Sequence, residues 1–231
     1  MNRMLLCGLL GFLTACSDKE QAVEHTGDSV EPVPTASALF VFVDMMGQAI
    51  DGVQVSYGDS EATTDIRGSA TIELPVSTHV HVKTEAEQSL PGLLYGAMGP
   101  EDTDFGTWRG PTQEQFENIL SEIGLLRDPA RGLIVANLLD NTRTGIEGAA
   151  LALPDGTYEA GLTMIGMGME VAESSSVSGM MVYLNVDPGE YAVEPVMPEN
   201  EACTLFPAAD TDLGTIRVEA GIMTVLLVNC A

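Results

Sequence analysis

Basic and aromatic side chains are scarce in this chain of 231 residues. Nine Lys and Arg face 34 Asp and Glu, which sets the formal net charge at −25 at pH 7. A surface of that sign repels phosphate backbones and anionic lipid faces, so nucleic-acid binding is excluded. The chain has three His, one Trp and four Cys. It therefore offers few of the groups most used for metal binding, sugar stacking or nucleophilic chemistry. It contains no G-x-S-x-G elbow and no glycine loop of the kind that cradles phosphate. His79 and His81 lie two apart in one segment, which leaves no marked arrangement for a nucleophile, its base and an orienter. Acidic pairs are too numerous for any to stand out as a glycosidase dyad. These shortages argue for a protein that is not an enzyme.

Long apolar runs are also missing. The run from Met4 to Phe12 follows a positive start at Arg3 and is too short to span a bilayer of about 30 Å. It fits the 7–15 residues of a signal h-region. The sequence Leu13-Thr14-Ala15-Cys16 then resembles the lipobox of bacterial lipoproteins. That resemblance implies removal of residues 1–15 as a signal peptide and acylation of Cys16 with palmitate-type chains. It implies a membrane partner through the lipid anchor, since two or more chains hold a protein stably. Ser17, where the family's inner-membrane retention signal has Asp, implies the outer membrane, facing the periplasm or the cell surface. Cys7 is a poor alternative because only six residues precede it.

Export leads to an oxidising compartment. With Cys7 removed and Cys16 acylated, Cys203 and Cys230 are expected to pair. Closing that loop contributes about 3.5 kcal/mol on the chain-entropy view. Two thiols alone do not complete a tetrahedral zinc site.

The acidic, Pro-containing stretch 16–36 reads as a disordered tether. From Ala38 the pattern turns to strands. Leu39–Val43 is an apolar run. Val53, Val55 and Tyr57 alternate with polar residues, as do Ala70, Ile72 and Leu74, and then Val80 and Val82. Period two between Gly-containing turns argues for antiparallel strands with one wet face. Residues 132–231 repeat the plan with Leu133–Leu139, Ala149–Leu153, Met180–Val186, Tyr191–Val196, Leu213–Val218 and Ile222–Val228. Asp44–Val55 also aligns loosely with Asp140–Leu151, as in a tandem duplication. The expected fold class is mainly β: two Ig-like or prealbumin-like antiparallel sandwiches, at 37–87 and 132–231. Between them, 88–131 is expected to be a connector, a loop over 88–111 followed by a helix over about 112–123. Thr112-Gln-Glu-Gln115 is a capping box, and Phe116, Ile119, Leu120 and Ile123 follow at helical spacing toward Gly124. That apolar stripe is expected to dock on the second sandwich.

The first half shows Asp44-x-x-Gly47, then Gly52-Val53-Gln54-Val55, then Thr64-Asp65-x-x-Gly68 before another strand. The second carries Gly145–Leu151, Ser178-Gly179 and Asn185-Val-Asp-Pro-Gly-Glu-Tyr191. Together they resemble the carboxypeptidase regulatory-like (transthyretin-related) domain over about two thirds of the mature chain. The resemblance implies a non-catalytic β-sandwich appended to exported proteins and brings no catalytic residues.

Four groups remain as candidate sites. Trp108 and Arg109 are candidates for a ligand, either a glycan or an envelope protein. Asp102-Thr-Asp104-Phe-Gly and Asp210-Thr-Asp212-Leu-Gly match part of a calcium-loop pattern, yet the acid expected at the twelfth position is Gln113 or Gly221. Acidic turns are the plainer reading, with structural calcium as the alternative cofactor. His79 and His81 share a strand face, but a metal site needs further ligands. Met164, Met167, Met169, Met180 and Met181 suit packing of irregular gaps, and soft thioethers also suit Cu(I). The function expected is a non-catalytic lipoprotein that binds or supports at the cell envelope, with a glycan- or protein-binding adhesin as the alternative.

Overall fold

Alternation at every second residue carries the first half into strands. The computed structural model describes residues 33–166, 168–199, 202–206 and 214–230. The expected signal peptide, Cys16, most of the tether, Met167, Asp210 and Asp212 lie outside the described residues. Strands β1 (Thr35–Val43), β2 (Gln54–Tyr57), β3 (Ser60–Thr63), β4 (Ser69–Pro75) and β5 (His79–Glu85) follow in order. Ala38, Phe40 and Phe42 of β1, Ile72 and Leu74 of β4, and Val80 and Val82 of β5 all point inward and are buried. Thr35 and Ala36, assigned above to the tether, already belong to β1.

The stretch 88–111, expected to be a loop, carries two strands instead: β6 (Gly92–Ala97) and β7 (Thr103–Arg109). Gly92 and Gly96 have a packing reason. A Cβ on Gly96 would collide with the ring of Phe105, so glycine here marks close approach rather than a loop. Helix α1 (Gln113–Glu122) follows, as its periodicity predicts. Thr112 Oγ1 accepts from the Gln115 amide at 3.2 Å, and Gln115 Oε1 accepts from the Thr112 amide at 2.9 Å. At the far end the Leu125 amide donates to the Leu120 carbonyl and the Gly124 amide to that of Ser121, with Gly124 at φ 74°. This is a Schellman ending.

The second half contains β8 (Gly132–Asp140), β9 (Ala150–Ala152), β10 (Ala160–Ile165), β11 (Gly168–Val171) and β12 (Met180–Val186). It ends with β13 (Gly189–Ala192), β14 (Glu194–Val196), β15 (Cys203–Leu205), β16 (Thr215–Val218) and β17 (Met223–Cys230). The expected disulfide joins Cys203 to Cys230, directly opposite each other on β15 and β17.

The protein is mainly β with one helix, and a single ten-stranded sheet runs through both halves. Its order is β11-β10-β12-β8-β17-β6-β5-β2-β3, with β15 pairing on β17 beyond the reach of β6. The joint is β17, which is parallel to β6 on one side and to β8 on the other. β7 is likewise parallel to β1. The expectation of antiparallel ladders throughout, one wet face per sheet, is corrected at these places. Strands β6 and β12 are buried on both faces. On β6, Leu93, Tyr95 and Ala97 enter one core and Leu94 enters another. On β12, Met181 and Tyr183 face one side while Val182 and Leu184 face the other.

Different layers cover the two faces. The β13-β16 and β14-β9 pairs close the core containing Ile134, Tyr183, Tyr191 and Leu226. On the opposite face the β4-β1-β7 sheet closes a core with Phe40, Ile72, Phe105 and Trp108. Beside it, Phe116 and Leu120 of α1 pack on Leu133, Leu162, Val182 and Leu184. The helix thus docks on strands of the second half, as expected.

The two halves repeat each other bond by bond. Asp44 Oδ1 accepts from the amides of Met46 and Gln48, and Asp140 Oδ1 from those of Thr142 and Thr144. The hydroxyl and amide of Thr142, with the Thr144 amide, hold the Asp140 carboxyl below the usual range. The Ile50 amide donates to the Phe42 carbonyl, and the Ile146 amide to that of Leu138. The Thr64 hydroxyl donates to the Ile50 carbonyl and accepts from Val53; that of Ser175 donates to Ile146 and accepts from Ala149. Gly68 and Gly179 both have positive φ, and a Cβ on either would strike the carbonyl of Phe42 or Leu138. This matches the alignment of Asp44–Val55 with Asp140–Leu151 and extends it to the next strand.

Candidate functional site

On one face of the central sheet two unlike covers meet. A flat three-stranded layer and a helical cylinder cannot fill the wedge between them. They leave a cavity of about 330 Å³. Its floor is every second residue of β8 and β17, namely Val135, Asn137 and Leu139 beside Met223, Val225 and Leu227. The parallel ladder sets Val225 against Val135 and Leu227 against Asn137, so the two rows lie side by side. Apart from Val225, these floor residues are only half-buried although they belong to the middle strands of the sheet. Val135, Met223 and Leu227 touch the flanking cores at their edges, yet the covering layers do not bury them fully.

The walls come from elements far apart in sequence. Phe42 and Trp108 descend from β1 and β7, Leu90 and Phe116 stand at the helix side, and Met164, Met169 and Met180 come from β10, β11 and β12. Met45, in the turn opened by Asp44, adds a further thioether. Flexible thioethers line irregular gaps well and adapt to what enters them. The ionisable residues on the cavity are Glu85 and Arg109, both exposed and thus on its rim.

Trp108 and Arg109 therefore sit on this cavity, on a strand rather than on a loop. Trp108 is nine-tenths buried, and its indole N–H has no acceptor among the described residues. Asp102 and Asp104 stand at the start of β7, where Asp102 accepts from the Ser37 amide at 2.9 Å and Asp104 from the Gly106 amide at 2.7 Å. Among the described residues no group of three or more His, Cys, Asp or Glu is placed to hold a metal ion. His79 and His81 are exposed on β5, the His81 ring lying 6.1 Å from that of Tyr57 and 5.8 Å from that of Tyr95. Met181 points away from the cavity into the opposite core, unlike its neighbour Met180.

No protein-family model and no curated protein sequence matches the chain. Among solved structures it is similar to the Bacillus anthracis TIE protein at 9% identity, covering 85% of this chain and 34% of that one, with a TM-score of 0.27. It is also similar to a streptococcal ancillary pilin at 14% identity, 85% and 62% coverage and a TM-score of 0.26. The shaft pilin spaA from Lactobacillus rhamnosus GG matches at 11% identity, 86% and 98% coverage and a TM-score of 0.26. The chain spans about a third of the TIE protein and less than two thirds of the ancillary pilin. Likenesses at this level say nothing of function.

The floor residues Val135, Asn137, Leu139 and Leu227 carry no signal in the sequence. They look like any central strand, because the gap above them is made by layers that come together only in the fold.

Proposed function

We propose that this protein is a non-catalytic binding module of the bacterial envelope, held at the outer membrane by acyl chains on Cys16. The observation that carries the binding role is the seam cavity. Its wall is mostly hydrocarbon and thioether, with Asn137, Ser178 and a few hydroxyls among them, and its two ionisable groups stand at the rim rather than facing each other across a buried reaction centre. A volume of about 330 Å³ falls at the lower end of small-molecule pockets, which run from about 300 to 1,000 Å³. The anchor rests on the lipobox resemblance at Leu13–Cys16. Among the described residues no helix is long and apolar enough to cross a membrane. The resemblance to carboxypeptidase regulatory-like domains agrees with a role without catalysis.

The anchor is tested by expressing the wild-type chain and Cys16→Ala in a bacterium fed labelled palmitate. The wild type should take up label, lose residues 1–15 and sediment with membranes. The variant should do none of these. Wild-type protein recovered from the aqueous fraction at its full, uncut mass would overturn the reading.

A further inference from the structure

We infer that the seam cavity takes a single acyl chain on the order of ten carbons long, with an anionic head group at Arg109. The inference rests on the binding role proposed above and goes further by naming the ligand class. Shape is the first argument. The floor follows β8 from Val135 to Leu139 and β17 from Met223 to Leu227. Four residue steps along a strand make a trough about 13 Å long. At carbon–carbon spacings near 1.5 Å, a zigzag chain of on the order of ten carbons fills that length.

The second argument is the exposed state of the floor. Half-buried Leu and Val on the middle strands of a sheet are a standing cost that an apolar occupant removes. The third is charge. Arg127, Arg131 and Arg217 each have a carboxylate partner, whereas Arg109 has no salt bridge among the described residues. A guanidinium with no salt bridge among the described residues, at the mouth of an apolar trough, favours a carboxylate or phosphate head locally, against the repulsion of a chain whose net charge is −25. Glu85 shares the rim and opposes such a head, which gives the electrostatics a testable sign.

Trp108 is the only tryptophan and forms part of the wall, so its fluorescence reports occupancy. The experiment titrates the full chain carrying Cys16→Ala, which has no acyl group of its own, with saturated fatty acids from six to sixteen carbons. Affinity should rise by up to about fourfold per methylene and level off near ten carbons. Arg109→Ala should weaken decanoate about three- to fivefold, Glu85→Gln should tighten it, and both effects should shrink in high salt. Decanol should bind Arg109→Ala and the parent alike. Val135→Phe, which fills the floor, should abolish binding, and the chain-length series decides the matter should that variant not fold. A decanoate affinity unmoved by either charge variant would overturn the head group and leave the binding role standing. No fluorescence response to any acid or alcohol would overturn both. The palmitate-labelling result bears on the anchor alone.

Discussion

Tyr183 ties the central sheet to its cover through the main chain of Leu151. Its hydroxyl accepts from the Leu151 amide at 2.6 Å and donates to the Leu151 carbonyl at 3.1 Å. Burial pushes the phenol up to about 12, since the anion would lose its hydration inside the core. A folded value above the unfolded one, near 10, stabilises the protein fully below pH 10. That contribution is lost as pH rises from 10 through 12 and is on the order of 2 kcal/mol. Tyr183→Phe should cost about 1–3 kcal/mol at neutral pH by leaving the Leu151 amide without this acceptor. It should also flatten the alkaline fall in stability. Tyr95 and Tyr191 are raised by burial as well, so the slope is reduced rather than abolished. Urea unfolding at pH 7 and across pH 9–12 checks both parts; an unchanged slope would reject the assignment.

The repeated hydroxyl clamps of Thr64 and Ser175 predict matched losses. Each closes the loop after an acidic turn by bonding a carbonyl and an amide at once. Thr64→Val and Ser175→Ala should each cost about 2 kcal/mol, because both leave a buried amide unpaired. The sites share no partner, so the double variant should equal the two costs together to within about 0.5 kcal/mol. Chemical denaturation of the four chains tests this.

Asn185 holds the segment after α1 to the sheet. It is buried at φ 54°, accepts from the Asp128 amide at 2.7 Å, and donates to the Leu126 carbonyl at 2.9 Å and to Glu159 at 2.7 Å. Asn tolerates the left-handed region better than a branched or bulky residue does. Asn185→Leu should therefore cost about 3 kcal/mol or more, and amide exchange should quicken at Asp128. Protection at Asp128 equal to wild type would contradict this role.

The Cys203–Cys230 bridge closes 27 residues of sequence separation onto the strand that joins both halves. Reduction, or a double Cys→Ala change, should lower stability by about 3.5 kcal/mol. Because β17 pairs with β6 and β8 alike, unfolding should remain one transition seen equally by Trp108 fluorescence and far-ultraviolet dichroism. Two separate transitions would show that the halves unfold apart.

Local chemistry was enough to place much of this molecule. Period-two alternation marked β2, β4 and β5, the capping box and Gly124 bounded the helix, and the expected pairing of Cys203 with Cys230 matches the disulfide. The Asp44 and Asp140 segments revealed the repeat because an acidic turn needs particular residues at fixed steps. Strands β6 and β7 escape the alternation: the glycines of β6 serve close packing against Thr84 and Phe105, and Gly106 of β7 takes a positive φ, and a sequence distinguishes neither from a turn. The parallel seat of β17 between β6 and β8 depends on backbone pairing across most of the chain, and backbone groups are the same at every residue. The cavity was hidden for the same reason. Its floor is made of ordinary core residues, and it is open only because a sheet and a helix, far apart in sequence, come to rest side by side above it.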